Sequence, residues 1–310
     1  MQQYLKVIIY RENPMRPIYD IASIHIEITN ACNKECACCT RFCGHHKKPF
    51  FMNLETVEKA LQSLVNFPHN VGIMGGEPTI HPQFADICHL LARHIPKERR
   101  GLWTNGARWE KYEGIIEETF DYKNIVYNDH SHTEGHHQPL MVASQDIVVD
   151  KELMWKLIDQ CWIQNRWSAS ITPKGCFFCE VAAAQDMLYN GPGGYPIEPG
   201  WWKKTPVQFH DQIERYCVNC CAAIPMIPID SNIGKDLISP RVARLLEEVD
   251  SPRYARGKTM LFDKVMTAED IAKCQKDWKP WSHRPFRQCG PRHYLDDNDN
   301  VVSEKVFHKG

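Results

Sequence analysis

Between Ser23 and Thr29, isoleucines alternate with polar residues. Ile24, Ile26 and Ile28 stand against His25 and Glu27, the two-residue period of a strand. Further on, Asn53 stands where a helix cap belongs, and Leu54, Val57, Ala60, Leu61, Leu64 and Val65 share one helical face. Residues 71–74 form a short apolar run that ends in Gly75-Gly76, and Phe84, Ile87, Leu90 and Leu91 mark the next helical stripe. Residues 102–104 read as a strand, 112–120 as a helix and 124–127 as a strand again. Alternation at this spacing predicts parallel βα units. In such folds ligands bind beyond the carboxyl ends of the strands.

The second half begins with a helical stretch at 151–162 and a strand at 168–172, followed by the turn Pro173-Lys174-Gly175. A Gly/Pro-rich segment spans 191–199, and Ser239-Pro240 opens a helix with Val242, Leu245 and Leu246 turned inward. No internal repeat or low-complexity tract interrupts the chain. Its 310 residues fit two domains, or one barrel with an appendage. With 43% hydrophobic and 24% charged residues the chain can bury an ordinary core, which excludes disordered and fibrous classes. A formal charge of −1 supplies no drive toward nucleic acid or anionic membrane. No apolar run approaches the ~20 residues of a membrane span, and the first residues lack a signal peptide's apolar centre. A cytoplasmic location is the expectation.

Cysteine changes the picture. Of 14, five lie between Cys32 and Cys43, two are Cys176 and Cys179, and three are Cys217, Cys220 and Cys221. Cys88, Cys161, Cys274 and Cys289 stand alone, and Cys88 and Cys161 read as core residues of apolar helices. Clustered cysteines without a secretory signal point to metal or catalysis rather than disulfides. Thiolates as close as Cys32, Cys36, Cys38 and Cys39 can converge from one loop on an iron–sulfur cluster, and soft sulfur also suits zinc.

The C-x3-C-x2-C run Cys32, Cys36, Cys39 after the first strand resembles the signature of the radical S-adenosylmethionine (SAM) superfamily. Gly75-Gly76-Glu77-Pro78 after the second strand resembles that family's GGEP motif, and Thr104-Asn105-Gly106 after the third its TNG segment. The resemblance runs from Ile21 to Asn128. It implies a partial (β/α)6 TIM-like barrel, an α/β fold with a smaller C-terminal cysteine-rich cluster-binding region. It further implies a [4Fe–4S] cluster on Cys32, Cys36 and Cys39 with one open iron. SAM would be held by Gly75, Gly76, Glu77, Pro78, Thr104 and Asn105. Glycines there would let backbone approach the ligand, and Glu77 would accept from an ammonium. The position before the third ligand, usually aromatic in the family, is Cys38, a competing ligand; Cys43 reads as a spare buried thiol.

Cys176-x2-Cys179 and Cys217-x2-Cys220 can close a tetrahedral zinc site or complete a second cluster. The stretch from Ile171 to Gly175 resembles the opening of the SPASM or twitch regions of radical SAM enzymes, which implies an auxiliary [4Fe–4S] cluster ahead of zinc, with Cys221 an alternative to Cys220. His130 and His132, in a His-rich loop after the fourth strand, are the candidate catalytic residues. Trp201 and Trp202 read as an apolar plug, and His45, His46, Lys47 and Lys48 as surface.

The expected division is a barrel at 20–165, a cluster region at 166–230 and a C-terminal extension at 231–310 that packs on the barrel. The implied activity is that of a radical SAM oxidoreductase or epimerase acting on a small carbohydrate- or polyol-like molecule, with a flavodoxin- or ferredoxin-type electron donor. A ribosomal-peptide maturase is the rival enzyme, disfavoured because only some twenty residues precede the first strand. A non-catalytic zinc-stabilised binding protein is the rival of another class.

Overall fold

The computed structural model describes residues 15–128, 136–166, 168–278, 287–296, 298 and 300–303. Its main sheet begins with β1 (Ser23–Thr29), β2 (Asn70–Gly75), β3 (Arg100–Thr104) and β4 (Ile125–Tyr127), connected by helices α1 (Leu54–Ser63), α2 (Phe84–His94) and α3 (Trp109–Thr119). Asn53 caps α1 by accepting from the Thr56 amide at 2.8 Å, as its position anticipated. The chain continues through α4 (Lys151–Asp159) and a short helix, Trp162–Arg166. It returns as β5 (Ser168–Thr172) on the free edge of β1.

The sheet order is β4-β3-β2-β1-β5-β6, with β6 (Gly175–Phe177). Strands β1 to β5 are parallel and β6 folds back antiparallel on β5. This is the α/β partial barrel, with five parallel strands and a hairpin in the sixth place. Ile26 pairs with Ile73 on one side and Ile171 on the other, so β1 lies at the centre.

Every residue of β1 is buried. The alternation in its sequence separates two buried faces, an isoleucine face in the apolar core and a polar face of His25 and Glu27. Each isoleucine contributes on the order of 1.5–3 kcal/mol by burial. Val65, expected on the inner face of α1, instead lies beyond its end and is exposed.

After β6 come the buried helix α5 (Glu180–Leu188) and then α6 (His210–Tyr216). Trp201 and Trp202 are buried between, and the Trp202 indole N–H donates to the Ser63 carbonyl at the end of α1. They plug the joint as expected. β7 (Asp236–Ile238) leads into α7 (Pro240–Glu248) and pairs with β8 (Thr259–Leu261). A three-stranded antiparallel sheet, β9 (Arg287–Gly290), β10 (His293–Leu295) and β11 (Val301–Ser303), packs beside β4. No helix among the described residues is long and apolar enough to cross a membrane.

Candidate metal and SAM site

Three motif segments meet where β1, β2 and β3 end. A Cβ at Gly75 would lie 2.1 Å from the Thr29 carbonyl oxygen, and one at Gly76 2.3 Å from that of Ala31. The Gly76 and Glu77 amides donate to those same two carbonyls at 2.8 Å. The glycines therefore admit the start of the cysteine loop itself.

Glu77 is fully buried. Its Oε1 accepts from the Thr79 amide at 3.0 Å and from the hydroxyls of Thr79 and Thr104 at 2.6 Å, and its Oε2 from the Asn105 amide at 2.6 Å. The carboxylate thus locks the GGEP and TNG segments together rather than standing open to an ammonium. Asn105 then carries the lock to the cysteines, donating through Nδ2 to Cys32 Sγ at 3.5 Å and to Asn33 Oδ1 at 2.9 Å.

Cys32, Cys36 and Cys39 are partly exposed, while Cys43 is buried, donates to the Asn30 carbonyl at 3.6 Å and lies close to Cys32 and Cys39. The Cys43 thiol is the largest influence on Cys39. It outweighs burial, and with the Cys43 and Arg41 amides and the Arg41 charge it brings Cys39 down to about 6. Burial, reinforced by Cys39 and Cys32, pushes Cys36 up to about 12. Cys38 faces away: its backbone is left-handed at φ 54°, its amide donates to Asp236 Oδ1 at 2.5 Å, and its buried thiol meets the backbone of Leu237. Cys39 and Cys43, rather than Cys38, therefore lie in one thiol group with Cys32.

Residues between 236 and 253 clamp this loop. His45, expected at the surface, is buried, with Nε2 2.9 Å from Asp236 Oδ2 and Nδ1 2.8 Å from Ser251 Oγ. Arg253 pairs with Asp236 and donates to the Glu35 carbonyl at 2.9 Å. Burial works against charge on Asp236, but His45, Arg253 and the Cys38 amide hold it below the ordinary carboxylate range. His137 Nδ1 lies 2.8 Å from the Ala37 carbonyl. His130 and His132 lie outside the described residues.

A second thiol group lines a cavity of about 400 Å³ that opens in part to solvent. It comprises Cys161, Cys179, Cys217 and Cys220. Cys176 does not join them. It sits on β6 with its thiol toward the Pro196 carbonyl at 3.7 Å, under the Gly/Pro-rich segment, because the turn from β6 into α5 sends it to the opposite side from Cys179. Cys161 takes its place. The predicted helix at 151–162 breaks after Asp159, and Cys161 lies in the break, where its carbonyl accepts from the Asn165 amide. Cys221 turns away, donating to the Pro139 carbonyl.

Burial pushes all four cavity thiols up, Cys179 to about 12. Soft ligands in an apolar, water-poor space can hold a group that binds them as thiolates, with proton release. Among the described residues no three His, Cys, Asp or Glu side chains converge as one metal ion requires.

Residues 26–128 match the Radical SAM superfamily. The GTP 3′,8-cyclase of Vibrio vulnificus (strain YJ016) is 30% identical over 96 residues, 29% of this chain and 28% of that protein. That of Pasteurella multocida (strain Pm70) is 31% identical over 91 residues, 28% and 27% of the two chains. This chain thus matches little more than a quarter of the length of these curated relatives. Among solved structures, BtrN in complex with AdoMet and 2-DOIA is 17% identical, with 64% of this chain and 87% of that one covered, at a TM-score of 0.42. Hexahistidine-tagged anSMEcpe with bound AdoMet is 14% identical, with coverage of 78% and 50% and a TM-score of 0.22.

Proposed function

Because this chain belongs to the Radical SAM superfamily, we propose that it is an enzyme that oxidises a small, polar, carbohydrate- or polyol-like substrate. A [4Fe–4S] cluster with one open iron, when bound, supplies the electron that cleaves SAM to methionine and a hydrogen-abstracting 5′-deoxyadenosyl radical. Cys32, Cys36 and Cys39 hold that cluster, and Gly75, Gly76, Pro78, Thr104 and Asn105 form the SAM-side wall, whose segments Glu77 ties together from behind. The observation that carries the reading is the Glu77 lock, extended by Asn105 to Cys32. One buried carboxylate fixes the ends of β2 and β3 to each other, and Asn105 fixes both against the cysteine loop. A reactive ligand held in a fixed geometry needs such a frame.

Cys161, Cys179, Cys217 and Cys220 are the ligands of an auxiliary cluster in this reading. An electron sink built into the chain favours net oxidation. Epimerisation would require a hydrogen donor facing the substrate, and the two thiols nearest the first site, Cys38 and Cys43, are buried and turned to Leu237 and to Cys32 and Cys39. His130 and His132 are retained as candidates for proton transfer, and a flavodoxin- or ferredoxin-type protein as the electron donor.

The test is anaerobic reconstitution with iron and sulfide, followed by EPR and assay of 5′-deoxyadenosine. Wild type is expected to hold about eight irons and cleave SAM in the presence of dithionite. A triple variant with Cys32, Cys36 and Cys39 changed to Ala is expected to keep about four irons and cleave none. Cleavage of SAM by that variant would sink the proposal.

A further inference from the structure

A buried ion network lies directly behind the cysteine loop. Arg41, two residues after Cys39, is 2% exposed. Its Nη1 is 3.1 Å from Glu27 Oε1 and its Nη2 is 2.7 Å from Glu180 Oε2, while Nη1 also donates to the Glu180 carbonyl at 2.9 Å. Both carboxylates are buried. Glu27 accepts in addition from the Ser170 hydroxyl at 2.7 Å, and Glu180 lies 3.3 Å from His25 Nδ1. Buried polar side chains from β1, β5 and α5 therefore gather around one guanidinium from the cysteine loop. Two details relate that cation to the first thiol group. The Arg41 Nε–H is buried without a partner. The Arg41 charge, with the Arg41 and Cys43 amides, favours the Cys39 thiolate across a left-handed Phe42 (φ 53°).

We propose that Arg41 is a positioning residue that sets the reduction potential of the first cluster, held in place by Glu27 and Glu180. The inference rests on the reading of Cys32, Cys36 and Cys39 as cluster ligands. An electron added to a cluster adds one negative charge, and in a medium of low dielectric a fixed cation nearby stabilises that state strongly. The Nε–H, buried without a partner, leaves the guanidinium a spare donor inside this network. Glu180 opposes it at longer range and, being the residue after Cys179, brings the same network to the second thiol group. Two carboxylates hold the guanidinium through its terminal nitrogens, a fork geometry that a lysine cannot reproduce.

The experiment is an EPR-monitored redox titration of the reconstituted enzyme. It follows the cluster component that changes when SAM is added, since only a cluster with an open iron responds. Arg41→Met is expected to retain iron and lower the midpoint so that the reduced-to-oxidised ratio at a fixed potential falls about tenfold, equivalent to 59 mV for one electron. Arg41→Lys is expected to fall in between. Glu180→Gln, which removes a negative charge and leaves the cation, is expected to shift the midpoint upward. A merely structural role would not give opposite signs. An unchanged midpoint in an iron-loaded Arg41→Met enzyme overturns the proposal, as do shifts of the same sign in both variants. If Arg41→Met loses its iron, Glu180→Gln decides: an upward shift supports the assignment, and no shift or a downward one refutes it. A wild type without a SAM-responsive cluster would instead overturn the functional reading itself.

Discussion

Glu77 accepts four hydrogen bonds on two oxygens, so even an isosteric change is informative. Glu77→Gln places an amide donor against either the Asn105 amide or the Thr79 and Thr104 donors. A loss of about 1–3 kcal/mol in folding free energy is expected, the cost of an unsatisfied buried donor, together with a weakened first-cluster EPR signal. Urea melts unchanged from wild type would show that the lock is not made. The GGEP and TNG motifs were legible as strand-end segments. Their joining through one carboxylate was not, because hydrogen bonds between segments 27 residues apart leave no local pattern. His45 illustrates the same limit: four polar residues in a row look like surface until a carboxylate from residue 236 reaches one of them.

His46 makes a prediction at the same scale. Burial, partly offset by the Arg41 carbonyl at 3.3 Å, lowers it from 6.5 to about 4. The unfolded chain therefore takes up the proton more readily. The neutral imidazole's contribution is complete above about pH 6.5 and is lost as the pH falls toward 4. It amounts to on the order of 2–3 kcal/mol. Replacing His46 with Asn should flatten the slope of stability between pH 6.5 and 4. A slope identical to wild type in thermal melts would refute this.

Among the elements, strands and helices of the first half followed their periodicity closely, since hydrophobic spacing is local. The polar face of β1 is the informative case. His25 and Glu27 alternate with isoleucine as in a strand half open to water, yet both are buried, balanced by Arg41 and Glu180 from distant segments. The break after α4 was hidden for a related reason. Residues 151–162 keep a helical pattern, and only the structure shows the chain turning at Gln160 to put Cys161 beside Cys179. Cys161→Ala should cost the second cluster, leaving about four irons, whereas Cys176→Ala should keep about eight. Iron analysis of the two variants separates the arrangements, and the reverse result would restore Cys176 as a ligand.

At the scale of the whole molecule, residues 231–256 of the C-terminal extension pack on the cysteine loop of the barrel. The loop from Glu35 to Lys47 is held by Ser231, Asp236, Asp250, Ser251, Arg253 and Arg256. Asp236→Asn keeps the shape and removes the charge that faces His45 and Arg253. It is expected to reduce iron retained at the first site while the second keeps its own, read as loss of the SAM-responsive EPR component. Retention of that component at wild-type level would show the clamp to be dispensable. Metal loading should feed back on the fold, since a group bound only by the native chain stabilises it. Chelation of iron is expected to lower the melting temperature of wild type more than that of the triple Cys32, Cys36 and Cys39 variant.

The bond from the Cys38 amide to Asp236 spans 198 residues, which has a consequence for biosynthesis. Chains emerge from the ribosome with their N-terminal parts first, so the CxxxCxxC loop is exposed long before its clamp has been made. While translation continues, the left-handed turn at Cys38 has nothing to hold it, and the thiols are open to oxidation or to stray metal. The clamp is complete only once residue 256 has been made, so Asp236, Arg253 and Arg256 close over a loop that was among the first segments synthesised.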